Sequence, residues 1–305
     1  MSHNTIIIFG TGAVGGYYGA YLSKDEENNV TFVARGNHLK AIQNNGLTII
    51  SRGIKTVYPV QAVGSLNEYD GTADYIFVTV KSYDTETAIE QFKHCVGGNT
   101  QIITIQNGID NYDRLIARFG FDKVIRGYCA IAAEITAPGE ITHTAYGTIV
   151  IGEDNGAVTE RTRKLESVLS GAGIPVRIAK NILHDVWKKF AWNSIFNIIT
   201  AITGKTVKSV YAHPETLDLC RKIFDEVRSV ARYANVELTD QDMEWILTVS
   251  SDTPDFRPST LQDRLNNKPL EYESFTGFII RRAANLNIDV PVHKTLYALL
   301  KVIDS

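Results

Sequence analysis

The sequence predicts an α/β fold, in which a doubly wound parallel sheet forms the N-terminal part and an all-helical domain follows. Three observations predict it. Short runs of apolar and β-branched residues alternate with helical segments in the first half of the chain. A glycine-rich turn joins the first of these runs to a helix. From about residue 181, nearly every segment has helical periodicity. We therefore predict domains at 1–180 and 181–305.

The individual elements follow from hydrophobic periodicity and from turn residues. Strands are predicted at 5–9, 29–34, 47–50, 55–60, 74–80, 101–106, 124–133, 140–146, 148–152 and 176–178. Helices are predicted at about 13–25, 38–45, 85–94, 112–119, 161–170, 181–203, 214–235, 239–250, 258–266, 270–287 and 291–303. The repeated βα units imply a parallel, doubly wound sheet whose crossovers are right-handed. We expect the ligand site in the cleft between the two domains.

The first predicted strand runs directly into a G-x-G-x-x-G sequence and then into a helix. The first glycine permits the tight turn, the second lets backbone N–H groups approach a pyrophosphate, and the third lets the helix pack closely on the strand. The helix N-terminus adds a partial positive charge. The pattern predicts a Rossmann-type dinucleotide-binding domain. Its candidate cofactor-binding residues are Gly10, Thr11, Gly12, Ala13, Val14 and Gly15.

The residues after the second strand indicate which dinucleotide binds. Folds of this type that prefer NAD usually end this strand with an acid that binds the ribose 2′-hydroxyl. Here the strand ends Val-Ala-Arg-Gly, and Arg35 offers a guanidinium suited to a 2′-phosphate. A solvated surface arginine is the alternative interpretation. The missing acid and the present base favour NADP(H) as the cofactor.

Composition excludes several classes of function. The chain has 305 residues, a net charge of −3 and interspersed charges, so we expect no nucleic-acid partner. No apolar run approaches the roughly 18 residues that span a bilayer, so we expect no membrane segment. The chain has three widely spaced cysteines and no signal-peptide pattern, which favours a cytoplasmic protein without disulfides. Its seven histidines lack metal-ligand spacing, and we predict no metal site.

Two predicted strands end in polar residues on the expected ligand side of the sheet. Lys81 follows the strand at 74–80, and Asn107 follows the strand at 101–106. We predict that both lie near the cofactor. The Asn-Gly pair that begins at Asn107 is also a strong turn signal, and the two interpretations are compatible.

The long helix at 181–203 has one polar face in an otherwise apolar sequence. Lys189, Asn193 and Asn197 are four residues apart and Thr200 follows three later, so all four share a face. Buried polar groups must be paired or must line a ligand cavity. We favour a ligand-facing stripe, in which Lys189 could protonate an oxyanion during hydride transfer to a carbonyl carbon. Amide pairing within a helical bundle is the alternative.

A third polar cluster includes Ser259 and Glu271, close to predicted helix ends. By composition alone these residues are helix caps or solvated side chains.

Together these segments resemble the ketopantoate reductase (2-dehydropantoate 2-reductase) family over nearly the whole chain. The resemblance is carried by GTGAVGG at 10–16, VTVKS at 78–82, QNGID at 106–110, PGEITH at 138–143, WKKFAWNSIFN at 187–197, STLQD at 259–263 and LEYESFTGFIIRRAANLNIDVP at 270–291. It implies an NADPH-dependent reduction of the 2-oxo acid ketopantoate to (R)-pantoate, in the biosynthesis of pantothenate and coenzyme A.

The resemblance also implies roles for single residues. Lys189 matches the general acid, and Glu271 matches a carboxylate that tunes this lysine and binds substrate. The other matches are the substrate-binding residues Asn193, Asn197 and Ser259, the cofactor- and substrate-bridging residues Lys81 and Asn107, and the 2′-phosphate ligand Arg35. Lys188 precedes Lys189, but only Lys189 shares a helical face with the asparagines. The following loop, Ser82-Tyr83-Asp84, has no assigned role.

Two other functions fit the same motifs. A paralogous NADP-dependent reductase could act on another 2-oxo acid, and a non-catalytic protein could sense NADP(H). The presence of a candidate proton donor argues against the sensor. The sequence permits either a monomer or a homodimer.

Overall fold

The computed structural model of the chain describes residues 3–249, 251 and 255–305. The strands are β1 (Asn4–Phe9), β2 (Asn28–Val33), β3 (Leu47–Ser51), β4 (Ile54–Tyr58), β5 (Gln61–Val63), β6 (Ala73–Val78), β7 (Val96–Thr104), β8 (Val124–Ala137), β9 (Glu140–Gly152) and β10 (Val176–Ile178). The α-helices are α1 (Ala13–Leu22), α2 (Gly36–Asn45), α3 (Thr85–Phe92), α4 (Asp110–Phe119), α5 (Glu160–Gly171), α6 (Ile182–Thr203), α7 (Val207–Tyr211), α8 (Pro214–Ala231), α9 (Asp240–Thr248), α10 (Ser259–Leu265), α11 (Thr276–Leu286) and α12 (Pro291–Ile303).

The chain divides into two compact units. The first unit contains the chain up to Gln106 together with Asn111–Ile182. The second unit contains Asn107–Asp110 and Leu183–Ser305. The four residues that follow the β7 segment therefore group with the helical unit, although they lie early in the sequence.

The strands of the first unit form one sheet in the order β4-β3-β9-β8-β7-β6-β1-β2-β5, and β10 pairs with β9. Parallel pairing joins β2, β1, β6, β7 and β8. The β3–β4 and β8–β9 pairs are antiparallel. The predicted fold class is confirmed: the sheet is mostly parallel, and these two antiparallel pairs lie within it.

Apolar side chains cover both faces of this sheet, as the continuous apolar strands predict. In β1, Ile6 and Ile8 belong to the core on one face, which α1 and α5 complete. Ile7 and Phe9 belong to the core on the other face, which α3 and α4 complete. Successive side chains of a strand point to opposite faces, so one short run anchors both layers. The carboxyl end of β1 is thereby fixed between two cores.

Helix α6 is the second unit's long, apolar helix and is buried over three turns. Every residue from 190 to 201 is buried, as expected for a helix that is apolar around most of its circumference. Phe190 packs with the rings of Phe275 and Phe278 at centroid distances of 6.0 and 5.6 Å. Helices α8, α11 and α12 pack on one another. The polar face of α6 is therefore embedded in an apolar unit.

Several predicted boundaries need correction. The two predicted strands at 140–146 and 148–152 are the single strand β9, in which Tyr146 and Gly147 have positive φ and shift the pairing with β8 without ending it. The helix predicted at 270–287 begins only at Thr276, after a 3-10 turn at Tyr272–Ser274. The five-residue helix α7 was not predicted, because it is too short for helical periodicity. Residue 250, at the end of the helix predicted over 239–250, lies outside the described residues.

Candidate functional site

The three glycines of the G-x-G-x-x-G turn differ in whether the fold requires a glycine at that position. Gly10 has a φ of +107°, and a Cβ there would lie 2.6 Å from the backbone nitrogen of Val80. A Cβ at Gly15 would overlap the carbonyl oxygen of Gly10 and the hydroxyl of Thr79. A Cβ at Gly12 would meet no atom within 4 Å. The first and third glycines are thus required by the fold, whereas the second leaves open space above the turn.

The N-terminus of α1 has the features of an anion site. The backbone N–H of Gly16 donates to the Gly12 carbonyl at 2.8 Å and closes the first helical turn. The N–H groups of Ala13, Val14 and Gly15 precede this bond and have no acceptor within the helix. No side chain caps the helix, and its first turn has no acid. The donors and the helix dipole suit a bound phosphate group.

Thr11 differs from the other predicted cofactor residues. Its backbone N–H and its hydroxyl both donate to the Val33 carbonyl, each at 2.9 Å. The side chain is 5% exposed. Thr11 therefore connects the glycine turn to β2, and both of its hydrogen-bond donors take part in that connection.

Arg35 lies two residues beyond β2, at the position preceding α2. Its side chain is 77% exposed, and its Nη2 donates to Oδ2 of Asp84 at 2.6 Å. Asp84 ends a 3-10 turn that begins one residue after Lys81, at the carboxyl end of β6. No role was predicted for Asp84 from the sequence. The two residues are 49 positions apart, so local patterns could not have paired them.

A partly buried polar network connects the segments that follow β6 and β7. The side-chain nitrogen of Gln106 donates to the Val80 carbonyl and to the Thr85 hydroxyl, both at 2.9 Å. The Thr85 hydroxyl donates in turn to Oδ1 of Asn111 at 2.9 Å. This network joins the ends of β6 and β7. Lys81, which follows Val80, and Asn107, which follows Gln106, are each half-buried.

The structure brings together two predicted site residues that are 86 positions apart. The side-chain nitrogen of Asn193, on α6, donates to Oδ1 of Asn107 at 3.2 Å. Asn193 is 3% exposed. A buried amide that is held in this way has a defined orientation, and its oxygen remains available as an acceptor.

The rest of the α6 stripe divides into two kinds of residue. Asn197 is 2% exposed, and no hydrogen bond joins its side-chain amide to the described part of the chain. Thr200 donates its hydroxyl to the Phe196 carbonyl of its own helix at 2.6 Å. Thr200 therefore does not present a free donor, whereas Asn197 has the property expected of a residue that lines a ligand cavity. The buried hydroxyl of Ser194, next to Asn193, also has no partner among the described residues.

The adjacent lysines of α6 have different surroundings. Lys188 lies 3.7 Å from Oδ1 of Asp242 and 4.7 Å from the centroid of the Trp245 ring. Burial alone would raise the pKa of Asp242, but hydrogen bonds from Thr239 and from His184 outweigh it and hold that pKa below its usual value. Lys188 is therefore paired with a carboxylate that stays ionised.

Lys189 lies instead above the face of Trp192, with Nζ 4.3 Å from the ring centroid. Trp192 is buried and stacks on Phe256 with an interplanar angle of 5°. The Lys189 side chain is half-buried on the side of α6 that carries Asn193. The structure thus separates the two lysines as their helical spacing predicts.

The third cluster is buried more deeply than its composition indicates. Glu271 is 3% exposed, and its carbonyl accepts from the Ser274 N–H at 3.0 Å where the 3-10 turn begins. Ser259 is half-buried at the first position of α10. The neighbouring Thr260 hydroxyl is fully buried without a partner among the described residues. Thr260 belongs to the STLQD segment that carries the family resemblance, whereas no role was predicted for Ser194, whose only signal in the sequence is that it adjoins Asn193.

Comparison with known proteins gives the family. Residues 6–156 match the model "Ketopantoate reductase PanE/ApbA", and residues 181–304 match its C-terminal model. The chain belongs to the ketopantoate reductase family. It is an oxidoreductase, and the resemblance inferred from its motifs is confirmed.

Two reductases and one further protein of the same fold are similar to this chain. A 2-dehydropantoate 2-reductase from Archaeoglobus fulgidus is 30% identical over 100% of this chain and 99% of its own length. The crystal structure of 2-dehydropantoate 2-reductase from Geobacter metallireducens has a TM-score of 0.91 at 29% identity and covers 97% of this chain and 99% of that one. A D-mandelate dehydrogenase in complex with NADH and anilino(oxo)acetate has a TM-score of 0.92 at 20% identity over 98% of each chain, which shows a shared fold.

Neither a metal cluster nor a bilayer-crossing helix occurs within residues 3–249, 251 and 255–305. These residues contain no group of three or more His, Cys, Asp or Glu side chains placed to hold a metal ion. None of their helices combines the length and the apolar content that crossing a bilayer requires.

Proposed function

We propose that this oxidoreductase reduces a 2-oxo acid with NADPH, and that ketopantoate is its substrate and (R)-pantoate its product. The observation that carries the proposal is the polar face of α6. It presents an ammonium group, an amide held by Asn107 and a second buried amide within an apolar unit. Removing polar groups from water costs free energy unless they are hydrogen-bonded, so we expect these groups to contact a polar ligand.

The first unit supplies the dinucleotide seat in this proposal. The open space at Gly12 and the N–H groups at the start of α1 fit a pyrophosphate. Arg35 is the proposed ligand of the 2′-phosphate. Lys81, of the first unit, and Asn107, which groups with the second unit, are the proposed contacts nearer the nicotinamide. When bound, the dihydronicotinamide supplies a hydride.

The second unit supplies the proton and the substrate contacts. As hydride adds to C2 of the oxo acid, the C=O electron pair moves to oxygen, and Lys189 donates a proton from Nζ to that oxygen. Its positive charge also stabilises the developing alkoxide. Asn193, Asn197 and Ser259 are the proposed substrate ligands, and Glu271 is the proposed partner of the substrate and Lys189. Holding the acid in one pose lowers the entropic part of the barrier.

A steady-state assay tests the proposal. Oxidation of NADPH is followed at 340 nm with ketopantoate and with a panel of other 2-oxo acids, and each reaction is repeated with NADH. The proposal expects the highest kcat/KM for ketopantoate with NADPH. A higher kcat/KM for another oxo acid would reassign the substrate, and no turnover with any acid, despite NADPH binding, would favour a sensor.

A further inference from the structure

The acid beside Arg35 carries an inference about cofactor selectivity. Asp84 lies at hydrogen-bond distance from the guanidinium that we propose as the 2′-phosphate ligand, with Nη2 and Oδ2 2.6 Å apart. The side chains are 77% and 28% exposed. An ion pair this accessible contributes only about 0–1 kcal/mol to stability. Stability therefore does not explain why an acid lies here.

The position of Asp84 is determined by its own loop and not only by the ion pair. Its backbone N–H donates to the Lys81 carbonyl at 2.9 Å and closes the 3-10 turn. The first residue of the turn, Ser82, is 1% exposed, and Thr85, which follows Asp84, is fully buried. The backbone of Asp84 is thus fixed by a hydrogen bond and by buried neighbours, and its carboxylate reaches Arg35 just beyond β2.

Arg35 and Asp84 carry opposite charges, so they act in opposite ways on a ribose that does or does not carry a 2′-phosphate. In folds of this type, an acid at the end of β2 accepts a hydrogen bond from the ribose 2′-hydroxyl of NAD(H). This chain has no acid at that position of β2, but the β6–α3 loop places the Asp84 carboxylate against the residue that precedes α2. A phosphate carries a charge of about −1.5 to −2 at neutral pH. The Debye length is about 8 Å at physiological salt. A phosphate bound to Arg35 would lie closer than this to the Asp84 carboxylate, so the two charges would repel each other.

We propose that Asp84 is a cofactor-selectivity residue that limits the preference for a 2′-phosphate set by Arg35. Its carboxylate partly neutralises the guanidinium charge and repels the 2′-phosphate of NADPH. It also accepts a hydrogen bond from the ribose 2′-hydroxyl of NADH. The protein therefore binds both dinucleotides, with a smaller difference in affinity than Arg35 alone would produce. This inference rests on the proposed dinucleotide role of the first unit.

Isothermal titration calorimetry with nucleotide fragments tests it without any turnover. The probes are 2′,5′-ADP, which has the extra phosphate, and 5′-AMP, which lacks it. Asp84→Asn removes the charge and keeps the size of the side chain. We expect the affinity for 2′,5′-ADP to rise about tenfold, the Coulomb effect of one carboxylate on a dianion roughly 6 Å away in a water-like dielectric, and the affinity for 5′-AMP not to rise.

Glu140→Gln is the matched control, because Glu140 forms another exposed ion pair of the first unit, 2.8 Å from Lys55. This control should leave both fragment affinities unchanged. The gain in Asp84→Asn should shrink as salt is raised. If its thermal unfolding shows damage, Asp84→Ser replaces it with the same expectation.

Two results would overturn the inference. The affinity for 2′,5′-ADP divided by the affinity for 5′-AMP is compared between the parent and a folded Asp84 variant. An unchanged ratio would show that the carboxylate does not act on the phosphate. A lower ratio in the variant would show that Asp84 instead orients Arg35 for binding the phosphate. If the parent protein binds neither fragment, the dinucleotide role fails as well, whereas normal fragment binding without ketopantoate turnover contradicts only the proposed reaction.

Discussion

Replacing Lys189 by methionine tests the proposed proton donor directly. Methionine is unbranched and of similar length, so it can keep the contact with the Trp192 ring through its polarizable sulfur. The ammonium group, which lies 4.3 Å from that ring, is removed. The substitution therefore separates the charge and the proton from the packing.

The expected magnitudes differ between catalysis and stability. A positioned general acid contributes about 10²–10⁴ in rate, which corresponds to roughly 2.7–5.4 kcal/mol in the transition state. The cation–π contact at this half-buried position contributes only about 0.5–1 kcal/mol to the fold. Lys189→Met should therefore lose at least about 100-fold in kcat. Its melting temperature should change by only a few degrees.

The assay combines steady-state kinetics with NADPH titration by protein fluorescence, because a donor acting on the substrate should not affect dinucleotide affinity. Lys188→Met is the matched control on the same helix. Lys188 is paired with Asp242, 3.7 Å away, and has no proposed contact with substrate. Near-normal kcat in Lys189→Met, or an equal loss in both variants, would refute the assignment of the proton donor.

The remaining predictions concern the glycine turn and a buried carboxylate. Gly12→Ala should keep the melting temperature of the parent and bind NADPH at least about tenfold more weakly, because the new Cβ meets no protein atom but fills the proposed phosphate seat; unchanged binding by fluorescence titration would contradict that seat. Gly15→Ala should instead lower stability by about 1–3 kcal/mol in denaturant unfolding, because its Cβ overlaps the Gly10 carbonyl; unfolding at the parent's denaturant concentration would contradict the close approach of α1 to the turn. Glu226→Ala should lose about 3–5 kcal/mol, since its carboxylate accepts from the ring of the buried His293 at 2.6 Å and from two backbone N–H groups of α12. Burial alone would raise the pKa of Glu226, but these bonds outweigh burial and hold that pKa below its usual value. The stability that the bonds contribute is therefore present above the unfolded-state pKa and is lost as the pH falls through the folded-state pKa. Thermal unfolding of the parent that does not change between neutral and acidic pH would contradict this prediction.

Local sequence was sufficient wherever the responsible residues are neighbours along the chain. The turn from β1 into α1 places its glycines and its helix start within a few residues, so their spacing alone predicted the dinucleotide fold. Lys189, Asn193 and Asn197 recur every fourth residue on one helix, so periodicity predicted a shared face. The same reasoning separated Lys189 from Lys188, which the structure places against Asp242.

Local sequence does not show which acceptors a side chain already has. It predicts Thr11 as a cofactor residue, which stays a prediction, and the structure adds that both donors of Thr11 are bound to the Val33 carbonyl. Local sequence included Thr200 in the ligand-facing stripe, whereas its hydroxyl bonds to a carbonyl of its own helix. Residue type and spacing predict which side chains can donate, but the competing acceptors become known only from the tertiary structure.

The sequence by itself determined the fold class, the glycine turn and the polar face of α6, because each depends on short-range geometry that repeats every two or every 3.6 residues. Tertiary structure alone decided which acid meets Arg35 and which side chain meets Asn193. Those pairs are 49 and 86 residues apart, and their contact depends on how strand ends and helices are brought together in space. No periodic pattern encodes that arrangement, because it results from the packing of the entire sheet and of its surrounding helices.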